Sequence, residues 1–148
     1  MKQSLQAGLT GTFQYVVPEN KTVPHIYPEA ADFQDMPKVF ATGYLVALCE
    51  WACLELIKPH LDWPREQSVG THVNLSHTAA TPPGLTVTVT TCLDKFDGRK
   101  LSFSVSAHDG IDPITEGTHE RMLIDPARFA SNLKRKLKSM NNENTCAN

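Results

Sequence analysis

Beyond Pro64 the chain alternates between apolar and polar positions. Leu85, Val87 and Val89 interleave with Thr86, Thr88 and Thr90, and Leu101, Phe103 and Val105 with Ser102, Ser104 and Ser106. A period of two sets one face of a strand against a core and the other toward water. Four stretches, 68–77, 85–93, 100–108 and 114–124, have strand length and are rich in Val, Thr, Phe and Ile, residues that suit a pleated, half-buried surface. Asp97-Gly98 and Asp109-Gly110 fall between successive runs. Asp-Gly tolerates the positive φ of a tight hairpin, so antiparallel neighbours are predicted.

Upstream the pattern differs. VFATGYLVALCEWACLELIKPHL, beginning at Val39 and closed by Pro59, is dense in residues that tolerate helix. Its apolar positions cover nearly the whole circumference between Tyr44 and Leu54, which predicts a helix buried on most sides. Residues 1–38, punctuated by Pro18, Pro24, Pro28 and Pro37, read as one short strand and a long covering loop. Within that loop, 27–37 holds Tyr27, Phe33 and Met36 among acids, either a lid over a pocket or a packed loop. Residues 126–140 read as a C-terminal helix, and the Asn-rich tail from Asn141 is expected to be mobile. The order strand, apolar helix, four antiparallel strands predicts an α+β fold, residues 1–140 forming one domain and 141–148 a tail.

Composition narrows the function classes. The 148 residues suit one domain, and 14 Lys plus Arg against 16 Asp plus Glu give a net charge of -2, not the basic excess of a nucleic-acid binder. The most apolar stretch, 39–54, is interrupted by Thr42, Gly43 and Glu50 and falls short of the roughly 18 residues that a membrane helix needs. The N-terminus lacks the apolar core of a secretory signal, so a cytoplasmic location is expected. Cys49, Cys53, Cys92 and Cys146 include no CxxC pair and read as reduced thiols. Cys49 and Cys53 share a helical face, but no histidine at familiar spacing completes a ligand set, and no metal or other cofactor is expected. Neither a GxGxxG nor a Walker loop appears.

The chemistry concentrates on three residues. Glu50 is the only charge between Val39 and Leu54; burial of a carboxylate on such a helix calls for a partner or a proton, and tunes it for acid-base work. Thr42 stands at the start of the helix core, as an N-cap, a catalytic hydroxyl or both, where free N–H groups would face a developing oxyanion. His77 ends a strand before the turn TAATPPG and is a natural proton partner, although His72, His108 and His119 rival it on composition alone. Thr42 and Glu50 are eight residues apart, about 12 Å along a helix. Serving one site, they need either a substrate lying along the helix or two subunits with antiparallel helices.

The segments ATGYLVALCEWAC, HTAATPPGLTVTVT, SAHDG and GTHERM together closely resemble the fluoroacetyl-CoA thioesterases and their relatives among the hotdog-fold thioesterases. The resemblance spans about Phe13 to Arg121. It implies a curved antiparallel sheet wrapped around a central helix, paired as a homodimer, and hydrolysis of a short acyl-CoA such as fluoroacetyl-CoA or acetyl-CoA. It also implies that Thr42, Glu50 and His77 are catalytic and that Gly70 and Arg121 help to bind the acyl-CoA. The family's fluoroacetyl specialist carries a lid phenylalanine where Met36 aligns here, whereas Phe33 is retained; a thioether in place of a rigid ring bears on acyl selectivity. The competing readings are a hotdog enoyl-CoA hydratase and a non-catalytic acyl-CoA binding module. The basic run Lys134, Arg135, Lys136 and Lys138 reads as a contact to CoA phosphates or as a solvated helix face. An apolar flank around Tyr44, Leu48 and Trp51 is expected to meet a second copy.

Overall fold

The computed structural model describes residues 1–145, with side chains through residue 140. Strand β1 (Thr10–Val16) leads into a loop that carries the one-turn helix α1 (Ala31–Gln34), then the central helix α2 (Thr42–Ile57). Strands β2 (Gln67–Leu75), β3 (Thr86–Phe96), β4 (Lys100–His108) and β5 (Pro113–Ile124) follow, and α3 (Pro126–Thr145) closes the chain. The five strands form one antiparallel sheet in the order β1-β3-β4-β5-β2. This is the α+β arrangement expected, a sheet curved around one helix.

The alternation read in the sequence sets the inner face. Val87, Val89 and Leu93 of β3 and Leu101, Phe103, Val105 and Ala107 of β4 are buried, with Val89 opposite Ala107 and Leu93 opposite Phe103. Against them α2 packs Leu45, Leu48, Cys49, Ala52, Cys53 and Ile57. The Asp-Gly turns form as predicted, with Gly98 at φ 91° and Gly110 at φ 90°, a region costly to other residues.

Three expectations need correction. Helix α2 is not buried on most sides: Thr42, Gly43, Ala47 and Trp51 are exposed along one face. Leu48 is buried, and Trp51 packs tilted against Phe13 of β1 with ring centroids 4.7 Å apart, so the flank expected to meet a second copy is partly covered by the chain's own aromatics. Thr42 is not an N-cap, because the cap position is Ala41 and Thr42 is the first helical residue. Helix α3 extends to Thr145, so the first residues of the expected tail are helical; residues 146–148 lie outside those described. Along α3, residues 127–140 are exposed, which places the basic run Lys134, Arg135, Lys136 and Lys138 on an open surface.

Two features carry the site. Strand β2 is an edge, exposed from Gly70 through Asn74, and its register with β5 slips between Gly70 and His72, a bulge of the kind common at sheet edges. The loop before α2 is tied at its base by an isolated bridge between Thr22 and Phe40. Among the described residues no helix is long and apolar enough to cross a membrane.

Candidate active site

Helix α2 serves two clusters. At its first turn Thr42 Oγ1 lies 2.8 Å from His77 Nδ1. His77 comes from the segment just after β2, held there by hydrogen bonds from Ser76 N to Glu116 O and from Thr78 N to Ile114 O. Burial pushes its imidazole below the usual range, against an opposing contribution from the Ala79 backbone, so at neutral pH the ring is uncharged. Its Nε2 is buried without a hydrogen-bond partner beside a concavity of about 210 Å³ lined by Val39, Thr78, Ala79 and Ala80. The first backbone N–H groups of α2 have no partner within the helix and present their positive end at the same place.

Two turns further along, Glu50 faces β2 and β5. Its side chain is 38% exposed, with Oε1 3.4 Å from His119 Nε2 and 3.7 Å from Arg121 Nη1. The carboxylate expected to need a partner or a proton is thus partly open, with Arg121 as a cationic neighbour. It rests against the backbone of Gly70, where any Cβ would overlap Glu50 Oε1 and stand 3.2 Å from His119 Cε1. Opposite Gly70 in the ladder is Arg121, nearly buried, whose Nε and Nη2 donate to Ser68 Oγ and Ser68 O, both at 2.9 Å. Desolvation lowers the Arg121 pKa, with Glu50 opposing. His119 is fully buried, its Nδ1 2.9 Å from His72 O and its Nε2 3.2 Å from Arg121 Nη1. Burial, foremost, holds His119 below the ordinary imidazole range, the His72 carbonyl opposing and Arg121 adding to it.

The structure therefore joins Thr42 to His77, and Glu50 to Gly70 and Arg121, but separates the two groups by about 12 Å of helix. In the loop, Phe33 is half-buried with its ring 6.1 Å from Tyr27, whereas Met36 is exposed. The base of that loop crosses the start of α2: Tyr44 Oη donates to His25 O at 3.1 Å, and a Cβ on Gly43 would meet Ile26 Cδ1 at 3.0 Å. Sequence reasoning missed Ser68 and the place of His119. Among the described residues no group of His, Cys, Asp and Glu is arranged to hold a metal ion.

The profile of the fluoroacetyl-CoA-specific thioesterase family matches residues 17–127. The chain belongs to this family. Within it, the fluoroacetyl-CoA thioesterase of Streptantibioticus cattleyicolor is 51% identical over 136 residues, 92% of this chain and 97% of that protein. A solved structure of the fluoroacetyl-CoA thioesterase FlK superposes with a TM-score of 0.87 at 50% identity, covering 90% of this chain and 98% of that one. A thioesterase-superfamily protein of Thermus thermophilus is similar at 27% identity, TM-score 0.77, covering 93% and 96% of the two chains. These neighbours carry the hotdog architecture, and membership of the fluoroacetyl-CoA-specific thioesterase family makes this chain an acyl-CoA thioesterase.

Proposed function

We propose that this thioesterase hydrolyses the thioester of a two-carbon acyl-CoA, acetyl-CoA or fluoroacetyl-CoA, in a site completed across a homodimer. Glu50 delivers the attack on the carbonyl carbon, with its own oxygen or through a water that it deprotonates. A C–O bond forms, the C–S bond breaks, and CoA leaves as a thiolate that takes a proton; where Glu50 itself is the nucleophile, water then attacks the mixed anhydride, breaking its acyl C–O bond to release the acid and return the Glu50 carboxylate. Thr42 and the free amides at the start of α2 face the carbonyl oxygen as it gains charge. His77, uncharged and bonded to Thr42, carries the proton between hydroxyl and leaving sulfur. Gly70 lets the acyl group approach Glu50, Arg121 offers a fixed cation beside it, and Phe33 and Met36 cover the acyl end.

The observation that carries this reading is the split of the two clusters along α2. One thioester carbonyl cannot lie against both Thr42 and Glu50 of a single straight helix. A two-fold axis that sets a second α2 antiparallel beside the first brings Thr42 and His77 of one copy to Glu50 of the other. The open edge of β2 supports that axis, since an unpaired, exposed strand is a template for a second copy. Glu50 leans toward that edge through Gly70, whereas Trp51 leans toward β1.

The test is release of free thiol from acetyl-CoA and from fluoroacetyl-CoA, with kcat/KM corrected for background hydrolysis. We expect turnover of both, lost in Glu50→Gln and His77→Ala. Retention of either acyl-CoA unhydrolysed and bound at stoichiometry would point instead to a binding module.

A further inference from the structure

We propose that His119 is a positioning residue for Glu50, its Nε2 taking the Nη1 hydrogen of Arg121 that would otherwise draw the carboxylate in, so that Glu50 stays free to act. This rests on the thioesterase reading above and adds to it a residue that the reading does not use.

The geometry is over-determined. An imidazole sealed in a core is costly unless its nitrogens find partners. His119 Nδ1 is 2.9 Å from His72 O, and a carbonyl only accepts, so Nδ1 carries the proton. In the uncharged ring Nε2 is then a bare lone pair. Two groups reach it: Glu50 Oε1 at 3.4 Å, which as a carboxylate has no proton to give, and Arg121 Nη1 at 3.2 Å, which has. Nη1 therefore donates to His119.

The rest of Arg121 cannot move to compensate, because Nε and Nη2 are tied to Ser68. Nη1 is the one nitrogen of the guanidinium not tied to Ser68, and of its two hydrogens the one directed at His119 is taken by Nε2. At present Nη1 stands 3.7 Å from Glu50 Oε1, outside hydrogen-bond reach. Without the Nε2 acceptor that hydrogen is free, and the partly open Glu50 side chain swings the remaining ångström or so onto the fixed Nη1 to form a full ion pair, the stronger kind of hydrogen bond. A carboxylate so engaged is a weaker base and nucleophile. The His72 carbonyl, next to the slip in the β2 register, thus acts on the carboxylate through the ring's tautomer.

The charges around His119 are few. Helix α2 contributes Glu50 and Cys53, whose thiol burial pushes to about 12. Its own strand contributes Arg121 and Glu120, the latter paired with Lys100 at 2.8 Å, and β2 contributes the His72 side chain.

Two substitutions separate the roles of the nitrogens. His119→Asn keeps a donor for the His72 carbonyl and removes the distal acceptor, and His119→Gln places an amide oxygen near the position of Nε2 without a titrating ring. Free-thiol release is measured for wild type and both variants, across pH, with thermal midpoints. For His119→Asn we expect kcat to fall about 10- to 100-fold, the range seen when a reacting group is displaced by about an ångström. KM should stay within about threefold and the acid limb of the kcat profile should move to lower pH. His119→Gln should recover most of the lost kcat and return the acid limb toward wild type. Wild-type kcat in a folded His119→Asn protein would overturn the proposal, as would equal losses in both variants with an unmoved acid limb. Nitrogen-15 histidine spectra of the wild-type protein provide a check free of any variant: a protonated Nδ1 and bare Nε2 at pH 7 are expected, and the other tautomer or an imidazolium overturns the proposal. A wild-type protein that hydrolyses neither acyl-CoA would instead overturn the thioesterase substrate reading, and this role with it.

Discussion

Gly70 lacks a Cβ because Glu50 occupies the place where one would go. Gly70→Ala should therefore push the carboxylate aside and lower kcat about 100-fold, while the thermal midpoint changes little because Glu50 is partly open and can swing outward; kinetics and a melting curve on one sample check both. Two desolvated histidines, His119 buried and His77 half-buried, predict how stability follows pH. His77 and His119 both titrate below their ordinary value because burial disfavours the cation. An unfolded imidazole binds its proton near pH 6.5, so the unfolded state takes up protons that the native state refuses. Stability is full above about pH 6.5 and is lost as pH falls below it. Scanning calorimetry should show a midpoint that drops on acidification through that window, and His119→Gln should make the drop shallower. At this scale the sequence was legible where a residue broke its context: Glu50, alone among apolar neighbours, and Gly70 and Arg121 through family resemblance. His119 was not. In ITEGTHERMLI neither set of alternate residues is apolar, so no inner face could be assigned until β5 was seen between β4 and β2.

Helix α2 is the element around which the rest folds, and its buried side contains two thiols. Burial pushes Cys49 and Cys53 to about 12, so neither forms thiolate at neutral pH. Both should resist a thiol reagent in the native protein and react only as the helix opens, as mass mapping of labelled peptides will show; a colorimetric thiol assay is then free of interference from them. Leu45→Ala, at a fully buried position on the same helix, should cost about 2–5 kcal/mol by denaturant unfolding. Element identity was readable because each signal is local: a period of two for β3 and β4, Asp-Gly at their turns, a proline at the end of α2. The ends of elements were less so. Thr42 has the chemistry of an N-cap, yet its hydroxyl is taken by His77, brought from 35 positions away, a contact that no local pattern encodes.

For the molecule as a whole, the proposed composite site makes a prediction that a self-contained one does not. Inactive Glu50→Gln and inactive His77→Ala chains, unfolded together and refolded, should regain activity, because each mixed dimer restores one intact site out of two. About a quarter of wild-type turnover is expected if chains mix at random in the two-fold assembly. No recovery, with dimers confirmed by sedimentation, would place the whole site in one chain. The pairing of distant strands, β1 with β3 and β2 with β5, was the least legible feature, since hairpin signals order neighbours only. The knot at the base of the loop before α2 has a consequence of its own. Thr22 bridges Phe40, Val23 N donates to Val39 O, and Ala41 N donates to Lys21 O, so the chain enters and leaves the loop at one clamped point, a single residue from Thr42. His25 and Ile26 still touch the start of α2, whereas among the described residues the outer part of the loop, Phe33 and Met36 included, has no such contact with those around the hydroxyl that follows. With Phe33 and Met36 covering the acyl end as proposed, acyl preference sits on an outer segment that can be exchanged between relatives while the reaction machinery stays in place.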